Sequence, residues 1–188
     1  MKRLFIGIPI ESKKVAIQAE IWKNDSELNE NVLKWVNSEN WHITLIFLGS
    51  TSESAISQLQ ELIEESFADV RAFTTNLKGL GVFPDLHNPK VLWLGIENIR
   101  CLIPATSRMG EWLQQSGFLL ENKPLKPHLT LARIKNSAHR IAIHSLIERY
   151  SNFDFDQVVI DRVILYESVS TPGGPVYKPL FVKMLAGN

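Results

Sequence analysis

A chain of 188 residues, 45% hydrophobic and 21% charged, has apolar material for one good core or two small lobes and is too short for two large independent domains. Twenty Lys and Arg balance twenty Asp and Glu, which excludes a nucleic-acid coater relying on bulk counterion release and confines any such contact to a local patch. The single cysteine, Cys101, can form neither an internal disulfide nor a multi-thiolate zinc site, so a reducing compartment, the cytoplasm, is the expected location.

The first apolar run, Leu4 to Ile10, contains Pro9 and gives way at once to Glu11, Ser12, Lys13 and Lys14. It reads as a strand from Arg3 to Ile10, not as a signal peptide. Ser12 then caps a stretch in which Val15, Ile17 and Ile21 predict a helix. Trp41 to Leu48, nearly all apolar and stopped by Gly49, predicts a strand covered on both faces. Ser50-Thr51-Ser52-Glu53 matches a capping box ahead of Ile56, Leu59, Leu62 and Ile63 at helical spacing. Val70 to Leu77 and Val91 to Ile96 predict two strands joined through Lys78-Gly79-Leu80-Gly81-Val82-Phe83-Pro84 and a polar loop. Leu102, Met109, Trp112 and Leu113 mark a helix ended by Gly117. The second half predicts a strand over His128 to Ile134, a helix around Ile141 to Tyr150, and strands over Phe153 to Tyr166 and Val176 to Met184, with a turn at Thr171-Pro172-Gly173-Gly174-Pro175. No run approaches the roughly 20 apolar residues that span a bilayer. Each half therefore carries a strand with a histidine, a helix and a pair of strands. That order predicts a duplicated α+β unit, its two lobes packed as one bilobal domain over residues 1–188.

Two tetrapeptides share one pattern, His42-Ile43-Thr44-Leu45 and His128-Leu129-Thr130-Leu131. With five histidines in the chain, two cases of threonine two places after histidine arise by chance about once in 70 chains of this composition. Residues two apart on a strand share a face, so each His projects together with its Thr while Ile43, Leu45, Leu129 and Leu131 point the other way. Two such pairs facing across a cleft would supply two imidazoles and two hydroxyls to one small site. In-line displacement at phosphorus needs a base beside the attacking oxygen and an acid beside the leaving oxygen, and two histidines can fill both roles near neutral pH. Thr44 and Thr130 could donate to the non-bridging oxygens. No acidic residues near either motif are arranged as metal ligands, which favours metal-free chemistry without a cofactor. Zinc ligation and purely structural hydrogen bonding are the other readings of the histidines.

The paired His-X-Thr-Leu motifs, with Arg3-Leu4-Phe5-Ile6-Gly7-Ile8-Pro9, the continuation Phe47-Leu48-Gly49, and Lys126-Pro127 before His128 and Ala132-Arg133 after it, resemble the two-histidine phosphoesterase superfamily. Within it the chain is similar to the RNA 2′,3′-cyclic phosphodiesterases, also called 2′-5′ RNA ligases. The resemblance implies a two-lobed α+β fold with antiparallel-rich sheets flanking a central cleft. It implies opening of a terminal ribose 2′,3′-cyclic phosphate to a 2′-phosphomonoester, on RNA ends or nucleotides; a soluble protein is expected from the lack of a membrane-length apolar run, and a monomer is the expected state. It also implies His42 as proton donor to the 3′ oxygen and His128 as the acceptor that activates water. A reversible, ATP-independent 2′-5′ ligation and a non-catalytic RNA-binding module are the alternatives.

Other residues read more plainly. Arg133 could neutralise the phosphate, but strict alternation puts it on the face of Leu129 and Leu131, so it reaches a cleft only past the strand end or through a bulge. Phe47 meets the same parity problem and is expected in the core. His87, His139 and His144 read as surface residues, Cys101 as a quiet buried thiol, and Trp22, Trp35, Trp41, Trp93 and Trp112 as core or rim aromatics with base stacking as the functional option. Lys123 and Lys126 could meet RNA phosphates, and Tyr177 and Lys178 could flank the cleft. The chain has no Gly-X-Ser-X-Gly, Walker-A, dinucleotide-turn or His-Glu-X-X-His motif.

Overall fold

The computed structural model describes residues 1–120, 126–135 and 139–187. Its elements, in order, are β1 (Lys2–Pro9), α1 (Lys13–Lys23), β2 (Leu33–Trp35), β3 (His42–Thr51), α2 (Ile56–Ser66), β4 (Phe73–Phe83), β5 (Val91–Ile96), α3 (Leu102–Gln115), β6 (His128–Ile134), α4 (Arg140–Tyr150), β7 (Asp154–Ile160), β8 (Arg162–Thr171) and β9 (Gly174–Met184). Two antiparallel sheets form, one ordered β3-β1-β8-β9 and the other β2-β6-β5-β4-β7. The α+β class and the antiparallel sheets agree with the expectation. Lys123 lies outside the described residues.

Alternation builds both sheets. Along β1, Leu4, Ile6 and Ile8 are fully buried in the core, while Arg3, Phe5 and Gly7 occupy the opposite face. Each such Leu or Ile contributes about 1.5–3 kcal/mol relative to leaving it exposed. Helices α2 and α3 pack beside the first sheet, against β9 and β3, whereas α1 and α4 pack against β7 and β4 of the second.

The duplicated pattern is present, but the sequence halves are not the lobes. The first sheet takes β1 and β3 from the first half and β8 and β9 from the second. The helix after β1 crosses to the second sheet and the helix after β5 crosses to the first, so each lobe holds segments of both halves. The predicted strand Phe153 to Tyr166 is divided for this reason. It breaks at Asp161, with β7 pairing to β4 in one sheet and β8 to β1 in the other. The polar pair Asp161-Arg162 interrupts the apolar pattern there, but two polar residues within a strand-like run do not by themselves show a change of sheet.

Other differences have local causes. Helix α1 is capped as expected, with the Ser12 hydroxyl accepting from the Val15 amide at 3.1 Å. Its buried stripe is Val15, Ala19 and Trp22, leaving Ile17 and Ile21 exposed. Trp22 decides this, because its ring meets Tyr150 and Phe155 at 5.3 and 5.8 Å and brings more apolar area than either Ile stripe. Ser52 caps a short 3₁₀ turn, Glu53–Ala55, in place of α2 itself. The segment predicted to link two strands is the second half of β4, in which Gly79, at φ 72°, forms a bulge. Gly49, at φ 68°, likewise bends β3 without ending it. The three-residue β2 has too little pattern to be read from sequence.

Candidate active site

The motif strands β3 and β6 are packed against each other where the two sheets meet. In β3, Ile43 and Leu45 are buried while His42 and Thr44 are half-buried on the opposite face. In β6, Leu129 and Leu131 are buried while His128 and Thr130 are half-buried. The predicted alternation of both motifs is therefore observed.

The two imidazoles are held by the same device. His42 Nδ1 lies 2.7 Å from the carbonyl oxygen of Asn40, and His128 Nδ1 lies 2.7 Å from that of Lys126. A carbonyl only accepts, so each Nδ1 carries its proton and donates. Each Nε2 is left to take or give a proton, depending on the charge of the ring. Aromatic rings brace both histidines. Phe5 and Tyr177 stand 4.8 and 4.9 Å from His42, and Phe83 stands edge-on to His128 at 4.9 Å. Phe83 in turn meets Trp93 at 5.2 Å, and a Cβ at Gly81 would run into the Trp93 indole. Burial lowers the His42 pKa from its ordinary 6.5, and the positive charge of His128 lowers it further, against the opposing effect of the Asn40 carbonyl. The two rings thus share one electrostatic environment. Burial also raises the Tyr166 hydroxyl to about 12 and pushes that of Tyr177 up, so both stay protonated.

A bulge follows each threonine. In β3, Thr44 pairs with Gly7 but Ile46 pairs with Ile6, leaving Leu45 as the extra residue. In β6, Thr130 pairs with Trp93 but Ala132 pairs with Leu92, leaving Leu131 as the extra residue. Each bulge reverses the alternation, so Leu45 and Ile46 are both buried, as are Leu131 and Ala132. The next residues, Phe47 and Arg133, consequently share the outward face with their motifs. Phe47 is 46% exposed, corrects the expectation of a core residue, stacks with Phe5, and carries the Arg3 guanidinium 5.3 Å above its ring. Arg133 is exposed, and its charge and that of Arg3 act on the Tyr177 hydroxyl, placing both guanidiniums near the site.

The remaining candidates separate clearly. Tyr177 faces His42, whereas Lys178 is paired with Glu167, one position along and on the sheet's other face. Lys126 is exposed and contributes the carbonyl that holds His128. Cys101 is exposed, not buried as expected, and partial burial raises its thiol pKa against the pull of the neighbouring amides. His87, His139 and His144 are exposed, as expected. Trp22 and Trp41 are core residues, and Trp35, Trp93 and Trp112 are half-buried. Sequence reasoning missed the buried Phe5 and the half-buried Phe83 because aromatics within strands look like ordinary core. It missed Lys34 because nothing marked β2 as a strand. Among the described residues no cluster of three His, Cys, Asp or Glu side chains is placed to hold a metal ion, and no helix is long and apolar enough to cross a membrane.

Residues 4–180 match the model of the AKAP7 2′5′ RNA ligase-like domain. The chain is 34% identical to the RNA 2′,3′-cyclic phosphodiesterase of Thermotoga maritima over 95% of its own length and 93% of the relative's. It is 31% identical to the protein of the same name from Archaeoglobus fulgidus, over 96% and 98% of the two chains. Among solved structures, TT0787 of Thermus thermophilus superposes with a TM-score of 0.79 at 26% identity. The E. coli LigT complex with 3′-AMP does so with 0.77 at 25%, each over 98% of both chains. With two matched His-X-Thr strands packed against each other and a family match spanning nearly the whole sequence, the chain belongs to the 2′5′ RNA ligase-like family of two-histidine phosphoesterases.

Proposed function

We propose that this chain is an RNA 2′,3′-cyclic phosphodiesterase that opens a terminal cyclic phosphate to a 2′-phosphomonoester through His42 and His128. The observation that carries the reading is the identical tethering of the two rings. With Nδ1 committed to a backbone carbonyl in both, each ring keeps one Nε2 for proton transfer. Water attacks phosphorus and loses a proton to Nε2 of His128 as the bond to the 3′ oxygen breaks. The 3′ oxygen takes the proton on Nε2 of His42. Solvent exchange then returns the proton from His128 to His42. Burial favours neutral His42 in the free protein, and the anionic phosphate supplies the countercharge that lets this ring carry a proton. His128, whose backbone hydrogen bond is the more exposed of the two, suits the work on water.

Thr44 and Thr130 donate to the non-bridging oxygens, and Arg133 offsets their charge, a role supported by its place on the outward face of β6. Residues 1–188 act as one bilobal domain, since both sheets draw strands from both halves of the chain. Both histidines come from one chain, which is compatible with a monomer, and exposed Cys101 suits a reducing cytoplasm.

The test is hydrolysis of a 2′,3′-cyclic nucleotide followed by phosphorus NMR of the product. A 2′-phosphate supports the full reading. A 3′-phosphate removes the choice of leaving oxygen but keeps the two-histidine chemistry, and no turnover removes the proposed activity.

A further inference from the structure

One cation near the cleft is left unused by the proton-transfer scheme. Lys34 on β2 is the direct cross-strand partner of Arg133 on β6, so the two side chains leave the sheet on the same face, with their Cα atoms about 4.5–5.5 Å apart. Lys34 is exposed. Its Nζ reaches to 3.8 Å from where a Cβ on Gly174 would lie, so the ammonium spans from the second sheet to the β8–β9 hairpin of the first. That hairpin is pinned nearby, its Pro175 carbonyl accepting from the Asn40 side-chain amide at 3.1 Å. Asn40 is also the residue whose carbonyl holds His42. Among the described residues, Arg3, Lys34 and Arg133 are in no ion pair, although other cations such as Lys2, Lys14 and Arg162 are. Among the described residues, Lys34 and Arg133 thus stand side by side with no carboxylate paired to either, and Lys34 extends this positive charge toward the hairpin.

We infer that Lys34 binds the phosphate on the 5′ side of the terminal nucleotide, so that the site takes the end of an RNA chain in preference to an isolated cyclic nucleotide. The inference rests on the cyclic-phosphate reading above. A mononucleotide carries only the phosphate that reacts, which Arg133 and the motif residues meet. A chain carries a second phosphate one step further out, where the next strand of the sheet supplies Lys34. Such a contact is sequence-independent and salt-dependent.

The experiment compares wild type with Lys34→Gln on a 2′,3′-cyclic mononucleotide and on an oligoribonucleotide ending in a 2′,3′-cyclic phosphate. Lys13→Gln, which removes the same charge from the exposed start of α1, serves as control. Lys34→Gln should raise KM for the oligonucleotide about 3- to 5-fold, leave kcat unchanged, and leave both constants for the mononucleotide unchanged. The slope of log KM against log salt for the oligonucleotide should fall by about 0.7, the value of one single-strand phosphate contact. Lys13→Gln should do none of this. Equal effects on both substrates, or none on the oligonucleotide, would overturn the inference. If wild type hydrolyses neither substrate, the activity reading fails on its own account, and fluorescence anisotropy of the labelled oligonucleotide, with the same variants and the same salt series, still decides the role of Lys34.

Discussion

Phe47 and Arg133 occupy equivalent places on the two sheets. Each is the third outward-facing residue of its motif strand, brought there by a one-residue bulge after the threonine. The approximate symmetry of the two motif strands is broken at this pair, an aromatic ring under Arg3 on one side and an exposed guanidinium on the other. Arg133→Gln should lower kcat/KM about 10- to 150-fold, the loss of a hydrogen bond to a charged oxygen worth about 1.5–3 kcal/mol. Phe47→Leu, which removes no charge, should act mainly on KM. Steady-state kinetics on a cyclic mononucleotide checks both, and an Arg133 variant at wild-type efficiency would place this side chain outside the phosphate site.

General acid or base catalysis is typically worth about 10² to 10⁴ in rate, so His42→Ala and His128→Ala should each lower kcat by that order. Thr44→Val and Thr130→Val keep the β-branched shape, lose one donor each, and should cost about 10- to 150-fold. Donor and acceptor serve one transition state, so the double histidine variant should lose much less than the product of the single losses. Folding checked by circular dichroism keeps the comparison fair.

The donor and acceptor roles can be separated by the leaving group. An activated phosphodiester with a nitrophenol leaving group departs without protonation, so His42→Ala should recover most of its lost rate on that substrate while His128→Ala should not. The opposite pattern would exchange the two roles.

His42 also sets a pH signature. Its folded pKa lies below the ordinary 6.5 because of burial first and the His128 charge second. As pH falls below 6.5 the unfolded chain takes up the proton before the folded one, so the stability from the neutral buried ring is present above that pH and lost as pH drops through the lowered value. NMR titration of the His42 ring should give a midpoint below 6.5 in the free protein, moving upward when a phosphomonoester is bound. A free-protein midpoint at or above 6.5 would contradict the buried, electropositive setting.

The proton-transfer scheme uses no metal, so turnover should be unaffected by EDTA. Loss of activity in chelator, restored by Zn²⁺ or Mg²⁺, would require a different mechanism at the same cleft.

What the sequence determined by itself is local. Short-range alternation is an intrastrand property, so His42 with Thr44 and His128 with Thr130 could be placed on outward faces from spacing alone. The cap at Ser12 and the helices after both motifs depend on neighbours within a few residues and were equally legible. What only the tertiary structure decided depends on pairing between distant segments. Whether Phe47 and Arg133 point inward or outward turns on bulges that exist only relative to β1 and β5, since an unpaired strand has no register to shift. The assignment of β8 and β9 to the sheet of His42 sets Tyr177 against that ring, although the two are far apart along the chain. Lys34 gained a position only when β2 found β6. The periodicity of a sequence carries the face of a residue within its own element, and which face of which neighbour it meets is settled by the free energy of packing the whole chain.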